Sequence, residues 1–142
     1  RMRLFCLICA FGLVAASACG QNPLVAAVII AEAGGDGTNG MTAVAEVIQT
    51  RSQQSWVSPT KVVTAPKQFS CLNSGTNGFV AAKSKHPAWS FALSLSEQID
   101  RRELKTNLSR GATHFLATGA KAKWVVKSKK VAVVGKTSFY KL

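Results

Sequence analysis

The stretch "NPLVAAVIIAEAGGDG", Asn22 to Gly37, constrains this chain more than any other. From Leu24 to Ala33 every residue is apolar except Glu32. Asn22-Pro23 is a helix start, an N-cap residue followed by proline at the first helical position. Gly34-Gly35 is a stop. The expectation is a short helix over Leu24–Ala33, apolar on every side and therefore central to the fold. Near its end stands one carboxylate. A carboxylate withdrawn from water must be paired, or kept protonated and used. The last turn is the negative end of the helix dipole, and apolar neighbours add desolvation. Both favour a carboxyl that holds its proton, as a general acid requires. The structural alternative is a Glu32 paired with one of the 18 Lys and Arg side chains.

Helical spacing returns in "TAVAEVIQTR", Thr42–Arg51, through Val44, Val47 and Ile48. Thr38 or Asn39 would cap it, with "DGTNG" as the loop before it. Ser58-Pro59 opens a third helix, "PTKVVTA", which Pro66 ends. The segment Pro66 to Phe79, "PKQFSCLNSGTNGF", is turn-rich and reads as an ordered loop. Pro87 to Glu103 is expected to be the longest helix, with Trp89, Ala92, Leu93 and Ile99 on one side. A connection then leads to a short extended piece at Gly111 to Phe115. The closing "KWVVKSKKVAVVGKTSFYKL" reads as two or three short strands. There is no internal repeat and no low-complexity linker. A chain of 142 residues suits one domain with a real core.

The first residues read as an export signal. Arg1 and Arg3 form a basic n-region, Leu4 to Ala16 an apolar h-region, and Ala16-Ser17-Ala18 a small-residue cleavage site. The expected division is a signal peptide over 1–18 and a catalytic domain over 19–142, secreted or held in the cell envelope. Cys6 and Cys9 would leave with the signal. Cys19 and Cys71 would remain, and two cysteines in an exported chain can pair. Cys19 directly after the cleavage point is alternatively a lipid-attachment site. The 18 basic and 6 acidic residues give a net charge of +12. Losing Arg1 and Arg3 lowers it to +10, which still favours anionic surfaces such as wall polymers.

Other chemistries find little support. The one CxxC pair, Cys6-Leu7-Ile8-Cys9, falls within the expected signal, and His86 and His114 are the only histidines. Two histidines so far apart, with few other ligands nearby, point to no metal site. No GxSxG is present. Cys71 with His114 could form a nucleophile–base pair, although pairing of Cys71 with Cys19 is the preferred reading.

The ordered series "AEAGGDGTNGMTAVAEVIQTR", "VVTAPKQFSC", "GATHF", a tryptophan and "VGKTSFY" resembles the spore-cortex-lytic cell-wall hydrolase family. In that family an AEA-x-GE helix end is followed by a G-x-x-AVA-x-V-x-x-R helix and a QFS loop. A GA-x-x-F segment, a tryptophan and a closing IG-x-H-x-FY complete the series. The match runs from Leu24 to Tyr140. No single piece is specific; the order and spacing of the set are. Two departures stand out. Asp36 replaces the usual Glu after the glycines, and Lys136-Thr137-Ser138 replaces the stretch that usually carries His.

The resemblance implies an α+β fold: a mainly helical, lysozyme- and lytic-transglycosylase-like domain with a small C-terminal antiparallel β element. It implies cleavage of peptidoglycan glycan strands by a monomer without cofactor or metal, with no specific nucleic-acid partner. Glu32 would be the catalytic acid. Gln68, Phe69, Ser70, His114, Trp124 and Tyr140 would bind substrate, the two larger aromatics by stacking on sugar faces, whereas Phe115 and Phe139 belong to the core. Asp36, Glu46, Glu97, Asp100 and Glu103 offer no obvious second catalytic acid, which favours a single-glutamate transglycosylase over a two-carboxylate hydrolase. The rival reading is a non-catalytic, secreted cationic protein that binds the wall or another polyanion. A Glu32 that opens into a groove facing Gln68 argues for catalysis; a packed-over Glu32 argues for binding.

Overall fold

The computed structural model describes residues 20–73 and 75–142. The signal reading of residues 1–18 and the Cys19 end of the Cys19–Cys71 pairing lie outside them. Helix α1 spans Pro23–Ala33. The Asn22 side chain accepts a hydrogen bond from the Val25 N–H at 3.2 Å, which closes the N-terminal turn. Asn22 also ties α1 to its neighbours. Its Nδ2 donates to Thr60 Oγ1 at 2.8 Å, and its backbone N–H donates to Ser96 Oγ at 2.9 Å. Val25 through Ile30 are all buried, so α1 is the central helix its composition foretells. Each fully buried Val or Ile side chain contributes roughly 1.5–3 kcal/mol.

Helix α2 spans Gly37–Ser55 and is the longest element, at 19 residues. Its start corrects the expected "DGTNG" loop and first turn at Thr42. A short 3-10 turn over Gly34–Asp36 and a left-handed Gly37, φ +71°, redirect the chain, and the helix begins at once. A Cβ on Gly40 would lie 2.3 Å from Asp36 Cβ, so this glycine permits a close approach and does not mark a loop. Helix α3 spans Pro59–Thr64, capped by Ser58. Helix α4, Phe79–Lys83, is a single turn that sequence reasoning did not anticipate. Helix α5, Trp89–Asp100, is shorter than expected and buries Ala92, Leu95, Ser96 and Ile99. Trp89 and Leu93 lie at the edge of the core, partly buried. Helices α2, α3, α4 and α5 all pack on α1.

A three-stranded antiparallel sheet follows: β1 His114–Ala117, β2 Lys129–Val134 and β3 Thr137–Lys141, in the order β1-β3-β2. The stretch Lys123–Lys127, expected to be extended, is a 3-10 turn. The register sets His114 opposite Tyr140 and Phe115 opposite Phe139. Phe139 is fully buried. Its ring centroid is 6.0 Å from Phe115, and Phe115 is 6.1 Å from Phe69, within the range of favourable tilted aromatic contacts. This ladder joins the loop after α3 to the sheet. The mainly helical domain with its small C-terminal sheet is the fold class expected. No described helix is long and apolar enough to cross a membrane.

Candidate active site

Segments from the whole chain converge on a groove of about 480 Å³. Glu32 enters it from the last turn of α1 and Arg51 from α2. Lys67, Gln68 and Ser70 come from the loop after α3. His114 to Ala117 of β1, Trp124 of the 3-10 turn and Thr137 of β3 complete the lining. Of the residues expected to bind substrate, the fold therefore brings Gln68, Ser70, His114 and Trp124 together with Glu32.

Two do not reach the groove. Phe69 is 3% exposed and belongs to the aromatic ladder, because its position alternates with Gln68 and Ser70 and turns inward. Tyr140 is 7% exposed and lies beneath Trp124, edge-on at 5.3 Å, with the Lys130 ammonium 5.9 Å from its ring centroid. Tyr140 supports Trp124, which His114 flanks at 5.1 Å. As expected, Phe139 is core; Phe115 joins the core ladder and also borders the groove.

Glu32 Oε1 is buried and has no hydrogen-bond partner among the described residues. A buried polar atom left unpaired costs free energy, and such orphans are retained where a ligand or reaction uses them. The structural alternative, a salt bridge, is not formed by Glu32 with any described residue. An ion pair elsewhere joins Arg101 to Glu97 at 2.7 Å. The remaining acids serve elsewhere. Glu46 is buried and accepts the Leu108 and Ser109 N–H groups at 2.9 and 2.7 Å. Asp36 Oδ1 accepts the Lys136 N–H at 3.2 Å, and its Oδ2 accepts Thr137 Oγ1–H at 2.8 Å. All six carboxylates of the sequence lie within the described residues, and Glu32 is the one that lines the groove.

Sequence reasoning missed one neighbour of Glu32. The thiol of Cys71, in the 3-10 turn Ser70–Leu72 that packs on α1, lies close enough to the Glu32 carboxyl to interact with it. Burial, then that interaction, then the Glu32 charge push the thiol up to about 12. A thiol so held has almost no thiolate at neutral pH, which removes the nucleophile from the Cys71–His114 alternative. His114 Nδ1 and Thr113 Oγ1 are hydrogen-bonded at 2.9 Å. Burial, reinforced by the Arg51 charge, holds His114 below the ordinary histidine range, which favours its neutral form.

Arg51, Lys67 and Thr137 also escaped the sequence reading. Arg51 donates from Nη2 to Gln68 Oε1, and its guanidinium carbon sits 5.8 Å from the Phe69 ring centroid. The only signal for Arg51 was its place as the last residue of the V-x-x-R pattern on α2. Nothing local marked Lys67 or Thr137. His86 is apart from the groove lining; its Nδ1 accepts the Ala88 N–H at 3.1 Å. Among the described residues no cluster of His, Cys, Asp or Glu could hold a metal.

The model of a family described as Cell Wall Hydrolase matches residues 35–140. Two solved structures share the fold. One is the catalytic domain of the germination-specific lytic transglycosylase SleB from Bacillus anthracis. It is 18% identical, with a TM-score of 0.59 over 84% of this chain and 92% of that one. The other is the catalytic domain of the Bacillus cereus SleB protein, 18% identical, with a TM-score of 0.57 over 84% and 88% of the two chains. No curated protein matches the chain.

Proposed function

This chain belongs to the cell wall hydrolase family, and we propose that it cleaves the glycan strands of peptidoglycan with Glu32 as its general acid. The observation that carries the reading is the solitary carboxyl: Glu32 alone among six acids lines the groove, and one of its oxygens is unpaired. It shares that groove with Gln68, which supports catalysis over mere binding.

The chemistry then follows from having one acid. Cleaving a glycosidic bond needs a proton on the leaving oxygen and relief of the positive charge that develops on the sugar. A hydrolase of the usual kind supplies a second carboxylate to activate water or attack the sugar. Here none is within the groove, so the single glutamate acts twice. The Glu32 carboxyl donates its proton to the departing oxygen as the C1–O bond breaks. The resulting carboxylate then takes the proton of the C6 hydroxyl, whose oxygen closes onto C1 and forms a 1,6-anhydro sugar. No water is consumed, and the proton returns to Glu32. Gln68 and Ser70 offer an amide and a hydroxyl to sugar groups, and Trp124 offers an indole face. The enzyme acts outside the cytoplasm, on the reading that residues 1–18 are an export signal, and it works as a monomer.

Glu32→Gln keeps the shape and the hydrogen-bonding capacity but has no proton to deliver. It should bind sacculi and fold as the parent does, while releasing muropeptides at least about a hundredfold more slowly. Digestion of purified peptidoglycan with mass analysis of the products tests both parts. Products lighter by one water than reducing-end muropeptides mark the anhydro route. Release by the Gln variant at the parent rate would show that Glu32 is not the acid.

A further inference from the structure

Beside its acid the groove carries positive charge that the cleavage chemistry does not use. Arg51 is half-buried, is held by Gln68 and the Phe69 ring, and has no carboxylate partner among the described residues; nor has Lys67. Burial alone lowers the Arg51 pKa from its ordinary value, and the Arg51 charge is felt by His114. A cation partly withdrawn from water without a counter-charge is unfavourable. It becomes favourable when an anion arrives, most of all at a guanidinium whose fork of N–H groups matches a carboxylate. The rest of a sugar backbone is neutral, so the anion has to be carried on the strand as a side arm.

We propose that Arg51, assisted by Lys67, forms a carboxylate subsite that receives the acid group borne on the lactyl arm of the muramic sugar. This inference rests on the glycan-cleavage reading and deepens it. The guanidinium is already oriented before substrate arrives, because Gln68 Oε1 takes one of its N–H groups and the Phe69 ring lies beside it. Its remaining donors make no hydrogen bond to a described residue and can turn to a ligand. The acid can come from the lactyl carboxyl itself in a peptide-free strand, or from the first acidic residue of an attached stem peptide. Both present the same chemistry to Arg51, at different distances from the sugar. The phosphate of a separate wall polymer suits the site less well, since on this reading the anion enters the groove on the strand being cut.

The test uses four preparations of glycan strand: peptide-free strands with lactyl carboxylates exposed, peptide-bearing strands, and each of these with its acids coupled to methylamine. The parent protein should cut an acid-bearing strand with a KM about tenfold or more below that of its capped counterpart, the scale of one charge-assisted hydrogen bond. The double variant Arg51→Gln, Lys67→Gln should bring that ratio close to one, and Arg51→Lys should restore part of it. Whichever acid-bearing strand shows the larger capping effect names the source of the carboxylate. A parent that does not distinguish capped from uncapped strands overturns the proposal, as does a preference that survives in the double variant. A binding arm keeps the two readings separable. The Glu32→Gln protein should retain acid-bearing strands more tightly than capped ones, whether or not any strand is cut, and equal retention overturns the subsite. Absence of cleavage by the parent with this binding preference intact would instead overturn the catalytic role of Glu32.

Discussion

Cys71 and Asp36 show how much a single side chain here depends on partners far along the chain. As a sequence feature, Cys71 belonged to a disulfide argument. In the fold its thiol lies near the carboxyl of Glu32, and burial together with that neighbour pushes it up to about 12. An acid whose folded pKa lies above its ordinary value keeps its proton as pH rises, so the nucleophilic thiolate is scarce throughout the neutral range. Cys71 should therefore react with iodoacetamide much more slowly than an exposed thiol at pH 8, and its rate should still be climbing at pH 10. Glu32→Gln removes the charge contribution and should hasten the reaction. Peptide mass mapping of the labelled protein reads both, and labelling at the rate of an ordinary thiol would count against the contact. Asp36 carries a second lesson. Its departure from the usual Glu and the absence of the usual His at the closing motif look independent in the sequence. The structure makes them one contact, Asp36 Oδ2 to Thr137 Oγ1 at 2.8 Å across 101 positions. A Cβ on Gly135 would meet the Asp36 carboxyl carbon at 2.9 Å, so the turn between β2 and β3 sits directly on this carboxylate.

At the scale of elements, α2 joins the helical part to the sheet. Two side chains three positions apart on one face, Glu46 and Gln49, reach the segment that leads into β1. Gln49 Nε2 donates to the Leu104 carbonyl at 2.9 Å, and its Oε1 accepts the Leu104 N–H at 3.2 Å. Glu46 accepts from two backbone N–H groups further along, Leu108 and Ser109. Backbone groups that no strand or helix satisfies are thus paired by side chains, as buried backbone requires. Glu46 is only 5% exposed, so replacing one acceptor oxygen by an NH₂ group sets donor against donor. Glu46→Gln should lower the unfolding free energy by about 1–3 kcal/mol, read as a reduced urea midpoint with an unchanged slope. A midpoint equal to the parent's would mean that the 104–109 segment is held by other contacts. The short reach of β1 and the placement of His114 depend on this anchorage, which no local pattern in "LKTNLSRGATHF" announced.

Over the whole molecule, the chain carries a net charge of +12, and its groove holds one carboxyl. Most of the basic side chains are solvent-facing, so their attraction to an anionic wall is screened beyond about 8 Å at physiological ionic strength. Retention of the protein on peptidoglycan sacculi should fall steeply between low and high salt in a pull-down; salt-independent retention would mean that surface charge does not hold it there. What the sequence determined by itself was whatever neighbouring residues encode. The cap at Asn22-Pro23, the apolar run of α1 and the stop at Gly34 act over three or four positions, and they place Glu32 at a helix end without help from the rest of the chain. The ordered motif set placed the chain in its family for the same reason, since order and spacing are properties of the sequence. Tertiary structure decided what local spacing cannot encode. It began α2 at Gly37 because Gly40 could approach Asp36, turned Phe69 inward and Tyr140 beneath Trp124, and brought Arg51, Lys67 and Thr137 to the acid. An apolar or charged residue states a preference for burial or water. Which face of which distant segment meets it is settled only when the segments pack, and the groove is made of those meetings.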